Sequence, residues 1–279
     1  ISACEKGEQW QRALALLSEM WENKLEHGVI SCTAGISACE KTGQWQQGLS
    51  LLRELREVKI EPDIISFNAA LSACEKGGKW QQALSLLTEI CDERLDPNVI
   101  SFSAGISACE KGRRWDLALA VLKEMLEVKM EPDVISCSAG IRACEKCAQW
   151  ERAMALLKDM WEIKVEPEVT TYNSCIRALG HSEKWQHAMS LLSDIREAQL
   201  ELSVISCNGG LTACVTGSQW QQALALLSEM REVKLEPDVI SYSAGTSACK
   251  KGEQWRDARG TKLEPNRISY NAGISACEK

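Results

Sequence analysis

Between Val99 and Asp133 the chain alternates between two amphipathic stretches and two turn signals. Apolar or small residues at Ile100, Ala104, Ile106 and Cys109 mark the first stretch, which ends at Lys111-Gly112. A glycine following the last basic residue is a helix-exit signal. Trp115, Ala118, Leu119, Leu122 and Met125 then follow the i, i+3, i+4, i+7 spacing of an amphipathic helix. Pro132 forbids further helix and sets up a turn. The pattern predicts helix–turn–helix, and it returns with a fixed period. Trp10, Trp45, Trp80, Trp115, Trp150, Trp185, Trp220 and Trp255 lie 35 residues apart, and all six prolines fall at one repeat position, Pro265 once a seven-residue deletion before it is allowed for.

Units starting at Val29 give six full repeats, 29–63, 64–98, 99–133, 134–168, 169–203 and 204–238. A partial repeat (1–28) precedes them, a shortened one (239–266) follows, and 267–279 begins another. Periods of 20 to 50 residues signal a solenoid, in which each unit contacts mainly its neighbours and the stack presents a long concave surface. The expectation is one all-α, right-handed α-solenoid over 1–279. The phrase ISACEK both opens and closes the chain, which suggests a piece cut from a longer array. The shortened repeat lacks seven residues from the leucine-rich middle of its second helix, so a frayed end is expected there.

Eight of the fourteen cysteines share one repeat position: Cys4, Cys39, Cys74, Cys109, Cys144, Cys214, Cys249 and Cys277. Equivalent helices of adjacent repeats pack ~8–10 Å apart, beyond the ~7 Å Cα limit for a disulfide. These read as small buried hydrophobes at a tight helix contact, in a reducing compartment. Small pairs early in the first helices, such as Ala104-Gly105 and Gly209-Gly210, fit close helix approach. The tryptophans fall in register with the leucines of the second helices, which favours packing between the two helices of one repeat over a stacking platform for bases.

No stretch approaches the ~18 apolar residues of a membrane span. Cys144 and Cys147 form a lone Cys-x-x-Cys, and Cys175, His181 and His187 lack a fourth partner, so no metal is expected. Three histidines, with no phosphate loop, nucleophile elbow or carboxylate pair, make catalysis within the chain unexpected, and no cofactor or small-molecule substrate is implied.

Two polar positions vary while the rest stays nearly fixed. The fifth residue of a unit alternates among Thr, Asn and Ser, and the last among Asp, Asn, Glu and Ser. Variation confined to two polar positions suits a modular reader. The last residue precedes a helix, however, and could simply cap it, while the fifth could be a tolerated surface position.

Units opening Val-Ile-Ser-Tyr-Ser or Val-Thr-Thr-Tyr-Asn, with Lys-Gly ending the first helix and Glu-Pro-Asp closing the unit, resemble the pentatricopeptide repeat family; VTTYNSCIRAL at 169–179 is especially similar. The resemblance recurs in every unit. It implies single-stranded RNA binding at about one nucleotide per repeat, in a plastid or mitochondrion, where such binding stabilises, processes or marks transcripts for editing. Other RNA-processing proteins are further candidate partners. Carried over by position, the base-reading pairs are Thr33/Asp63, Asn68/Asn98, Ser103/Asp133, Ser138/Glu168, Asn173/Ser203, Asn208/Asp238 and Ser243/Asn266. The implied target is 5′-G-Y-G-N-C-U-A-3′, with no base assigned to the unusual Ser138/Glu168 pair.

The same resemblance implies that Ile30, Ile65, Ile100, Ile135, Thr170, Ile205 and Ile240 sandwich bases; a core position is the competing reading. It also implies that Lys41, Lys76, Lys111, Lys146 and Lys251 meet phosphates, although a lysine in a last helical turn also suits the helix dipole. A net charge of −7 and a pI near 5.3 weigh against a nucleic-acid binder. Glu40, Glu75, Glu110 and Glu145 beside the lysine column would dilute its field. The alternative function is a protein-binding scaffold using the same concave surface.

Overall fold

The computed structural model describes residues 10–22, 29–58, 60–93 and 95–251. Among them are fourteen α-helices and no strand. First helices of the repeats are α2 (Val29–Thr42), α4 (Ile64–Lys76), α6 (Val99–Lys111), α8 (Val134–Lys146), α10 (Val169–Gly180), α12 (Val204–Thr216) and α14 (Val239–Lys251). Second helices are α1 (Trp10–Glu22), α3 (Trp45–Glu57), α5 (Trp80–Asp92), α7 (Trp115–Glu127), α9 (Trp150–Glu162), α11 (Trp185–Glu197) and α13 (Trp220–Glu232). Each described second helix begins on the periodic tryptophan, and each first helix on the first residue of its unit. Asn266, the rest of the shortened repeat beyond Lys251 and the final partial repeat lie outside the described residues, as does the side chain of Lys251.

Contacts divide the chain into two compact units, Ile1–Ala143 and Cys144–Lys279. In the first, α2 packs on α4 and α4 on α6, while α3 and α5 fill the spaces between consecutive first helices. In the second, α10 packs on α12 and α12 on α14, with α11 and α13 behind them. The fold is the α-solenoid that the period implies.

The core of a repeat is apolar and well filled. Phe67, Ala70, Leu71 and Cys74 of α4 and Ala83, Leu86, Leu87 and Ile90 of α5 are all buried. The close approach expected of small residues is present: a Cβ on Gly105 would lie 2.2 Å from Leu87 Cδ1 of the preceding repeat. Of the periodic cysteines, Cys39, Cys74, Cys109, Cys144, Cys214 and Cys249 are free and buried. Burial pushes the Cys74 thiol up to about 12 and that of Cys109 to about 11. These thiols stay protonated and serve as packing atoms.

The structure sharpens two sequence expectations. The glycine that ends a first helix is not the residue in the left-handed conformation. Gly112 has φ −76°, and the left-handed residue is the next one, Arg113, at φ 53°. Gly78, Ala148 and Ser218 occupy that conformation in their own repeats. What the glycine provides is room. A Cβ on Gly77 would lie 2.6 Å from Trp45 Cδ1, one on Gly112 2.2 Å from Trp80 Cδ1, and one on Gly217 2.6 Å from Trp185 Cδ1.

The tryptophan therefore packs against the next repeat, a contact that the leucine register did not indicate. It is half-buried at the junction with the next one, its edge against that repeat's helix-ending glycine. A cation from the next repeat covers several of the rings. Lys79 Nζ lies 5.1 Å from the Trp45 ring centre, Arg114 Cζ 4.6 Å from Trp80, and Lys184 Nζ 5.3 Å from Trp150. The leucine register is a pattern within one helix, and it carries no information about a neighbour one period away.

Candidate nucleic-acid interface

Asp63, Asn98, Asp133, Glu168, Ser203 and Asp238 each lie immediately before a first helix, where such a residue can accept from the amide three residues on. Asp63 accepts from Ser66 N at 2.8 Å, Asn98 from Ser101 N at 3.1 Å, Asp133 from Ser136 N at 2.8 Å, Ser203 from Ser206 N at 3.2 Å and Asp238 from Ser241 N at 2.9 Å. The capping role weighed against base reading is thus present at these five positions. It does not exhaust them, because one turn into the preceding first helix the fifth residue points at the same place.

Asn68 Nδ2 donates to Asn98 Oδ1 at 3.2 Å, and Asn208 Nδ2 donates to the two Asp238 oxygens at 3.1 and 3.3 Å. Ser103 Oγ lies 3.5 Å from Asp133 Oδ1. In these three units the fifth and last residues, 30 positions apart in sequence, therefore meet across the repeat junction. Thr33, Asn68, Ser103, Asn173, Asn208 and Ser243 are all partly accessible.

A third polar column completes each cluster, and sequence reasoning passed over it. The third residue of the following unit is a fully buried hydroxyl, Ser66, Ser101, Ser136, Thr171, Ser206 or Ser241. Ser66 Oγ lies 2.6 Å from Thr33 Oγ1 and Ser136 Oγ 2.8 Å from Ser103 Oγ. Ser101 Oγ donates to Asn68 Oδ1 and Ser241 Oγ to Asn208 Oδ1, each at 2.6 Å. The signal in the sequence was its near-invariance as a small polar residue one turn into an otherwise apolar helix.

Burial pushes the Asp238 carboxyl up, but the Ser241 backbone amide, the Asn208 carboxamide and the Ile240 backbone amide outweigh it and leave it below the ordinary 3.8. The pair Ser138/Glu168 departs here too. Glu168 makes no side-chain cap bond and instead accepts from Thr170 Oγ1 at 3.4 Å, and Ser138 is buried. In the unit of Asn173 and Ser203, the Ser206 hydroxyl is paired with Ser203 Oγ at 2.8 Å, and Asn173 Oδ1 is buried without a partner.

The second-position column is exposed. Ile30 is 82% accessible, and Ile65, Ile100, Ile135, Ile205 and Ile240 lie between 59% and 63%. Thr170 is exposed at the same position. The competing reading of a core position does not hold for them, because an isoleucine holding a core is rarely left in water.

The lysine column is less free than the sequence implies. Lys76 Nζ pairs with Glu40 at 3.1 Å and Lys111 Nζ with Glu75 at 3.0 Å, each carboxylate coming from the preceding repeat. Glu110 and Glu145 pair with Arg142 and Arg177, each at 2.9 Å. Lys41 and Lys146 also have interacting partners. Among the described residues no three potential metal ligands come together, and no helix is long and apolar enough to cross a membrane.

The sequence model of the pentatricopeptide repeat domain matches residues 15–77, 50–113, 85–146, 120–182 and 190–251, and that of the single repeat matches 1–25 and 170–200. The chain belongs to the pentatricopeptide repeat family. Its fold is similar to the crystal structure of the pentatricopeptide repeat protein PPR10 from maize, with a TM-score of 0.60 and 17% identity over 95% of this chain and 43% of PPR10. PPR10 in complex with an 18-nt psaJ RNA element gives a TM-score of 0.54 at 17% identity, over 95% and 44% of the two chains. The PPR domain of Arabidopsis thaliana protein-only RNase P 1, in complex with tRNA, matches 60% of this chain and 89% of that domain, at 16% identity and a TM-score of 0.54. The chain thus spans less than half of PPR10, and at these identities the likeness is one of fold. Comparison with curated protein sequences returns no significant match.

Proposed function

We propose that the chain binds single-stranded RNA sequence-selectively, one nucleotide per repeat, and that it does so without catalysing a reaction. The observation that carries this reading is the column of exposed isoleucines, of which Ile65, Ile100 and Ile205 each lie three residues before a fifth residue that meets the last residue of its unit. A base laid between successive isoleucines would cover apolar surface and present its edge to that pair. Solved relatives crystallised in complex with RNA support the assignment. Family membership supports a role in organelle RNA processing, stabilisation or editing, with other RNA-processing proteins as further partners. The repeats would act together as one array.

The decisive measurement is binding to 5′-G-Y-G-N-C-U-A-3′ and to a scrambled RNA over a salt series. A preference for the first sequence, with affinity falling as salt rises, is expected; equal affinity for the two ends the code. Five free lysine–phosphate contacts would give a log–log slope of roughly −3.5. With Lys76 and Lys111 already paired, a shallower slope is expected.

The second reading, a protein-binding scaffold, draws on a net charge of −7 and on the glutamates along the lysine edge. Salt-insensitive failure to bind any short RNA would favour it.

A further inference from the structure

The polar clusters differ in a way that follows from proton counting, and what differs is the serine supplied by the next repeat. Ser66 Oγ donates to Asp63 Oδ1 at 2.7 Å. A carboxylate only accepts, so the single Ser66 proton is committed there, and the 2.6 Å contact between Ser66 Oγ and Thr33 Oγ1 has to use the threonine's proton. The one alternative acceptor for that proton is the Val29 carbonyl at 2.7 Å, which also lies within the protein. Either way Thr33 turns only lone pairs outward. Ser103 is in the same state: Ser136 Oγ donates to Asp133, and Ser103 lies 2.8 Å from Ser136 Oγ. A hydroxyl and a carboxylate oxygen side by side, both accepting, complement the contiguous N1–H and N2–H donors of guanine. They repel adenine, whose N1 is an acceptor.

With asparagine in fifth position the same serine reverses its role. The Ser101 amide donates to Asn98 Oδ1, which fixes that oxygen and requires Asn68 to approach it with Nδ2. Asn68 Oδ1 is then left to accept from Ser101 Oγ. In the Asn208 cluster the Asp238 carboxylate forces the same orientation, and Ser241 Oγ holds Asn208 Oδ1. Each carboxamide keeps one N–H and one lone pair in a set order. Uracil and cytosine present donor and acceptor in opposite orders at N3 and C4, so a carboxamide that cannot flip favours one of them. Asn173 has no such lock, because Ser206 is paired with Ser203.

We infer that the buried third-position serines Ser66, Ser101, Ser136 and Ser241 are specificity-determining positioning residues, each fixing whether the fifth residue of the preceding repeat donates or accepts toward a base. This assignment rests on the proposed RNA reading, and it adds to each two-residue reader a third member that belongs to the neighbouring repeat. Serine suits the place because its hydroxyl both donates and accepts, and burial keeps water from competing for it.

The test uses the whole chain and two RNAs that differ only by G or A at the nucleotide facing Ser103/Asp133. The wild type is expected to prefer G by about tenfold. Ser136→Ala leaves the Ser103 hydroxyl free to rotate and donate to adenine, so the G-over-A ratio falls about fivefold. Ser136→Thr, which keeps the hydroxyl, restores it. Loss of stability alone would weaken both RNAs equally and leave the ratio unchanged. Ser66→Ala, probed at the nucleotide facing Thr33/Asp63, answers the same question if Ser136→Ala fails to fold. A wild type that prefers G beside an alanine variant with an undiminished ratio overturns the serine's role alone. A wild type that ranks G and A equally overturns the base reading, and this assignment with it.

Discussion

At the C-terminal end of α6, Gly112 leaves no room for a methyl group beside Trp80, whereas at the N-terminal end Ile100 stands 60% exposed. Thirteen residues of one helix thus run from a junction that tolerates no added atom to a surface that presents a bare aliphatic side chain. The same contrast recurs in α4 and α12, which end at Gly77 and Gly217 against an indole and begin with exposed Ile65 and Ile205. Identity from copy to copy has two causes in this molecule. At the C-terminal end it comes from steric fit between repeats. At the N-terminal end the isoleucine has no packing role that would explain its recurrence, so the recurrence points outward, to something the repeats have in common.

The contrast can be broken most severely at the junction. Gly112→Ala should destabilise the protein by about 2 kcal/mol through overpacking against the indole, read as a lowered denaturation midpoint; a change below ~0.5 kcal/mol would mean that Trp80 yields freely. At the opposite end, Ile100→Ser should leave that midpoint within ~0.5 kcal/mol and weaken RNA about fivefold, the loss of ~1 kcal/mol of covered apolar surface. Unchanged affinity would remove the isoleucines from the interface.

Arg113, left-handed although not a glycine, sharpens the picture of the junction from the other side. Arg113→Gly should stabilise by about 1 kcal/mol by relieving the Cβ penalty, visible as a raised thermal midpoint. On the lysine edge, Glu75→Gln should release Lys111, steepen the RNA salt slope by about 0.7 and cost less than ~1 kcal/mol of stability. A slope that does not move would leave phosphate contact to other groups.

The smallest effect expected is on acid stability. The Asp238 carboxyl is held below 3.8 in the folded chain. Its contribution to stability is therefore complete above the unfolded value and disappears as pH falls through the lowered folded one. Asp238→Asn should flatten the pH dependence of unfolding below about pH 4, and equal slopes for the two proteins would contradict the hydrogen-bonded description of this cluster.

Much of this was legible before any coordinates. The leucine spacing and the phase of Pro132 define two helices per unit, and the tryptophans set where the second begins. The variable residues Asn68, Asn98, Asn208 and Asp238 stood out as a pair of columns, and the coordinates bring them within hydrogen-bonding distance. What stayed hidden involves neighbours one period away. Gly112 reads as a helix stop because the local pattern contains no hint of Trp80, and Trp80 reads as core because its own leucines share its register. Ser101 and Ser241 stayed hidden because their column hardly changes, with Thr171 as its departure, although their partners are the residues that vary. A column that is constant because it serves a variable one cannot be told from a packing column by composition.

The notch formed by an indole and a glycine is the same wherever it occurs, which makes the unit a cassette. A block running from Val99 to Asp133 could be excised, duplicated or moved beside another such block, and each new seam would rejoin matching surfaces. On the proposed RNA reading, rearranging the order of such blocks would rewrite the message recognised without any new interface having to evolve. Exceptions lie at Thr42, Cys147 and Ser182, which stand where other units have the notch glycine, and at Thr171, where a block placed just upstream would meet a bulkier hydroxyl than the serine found at the other seams.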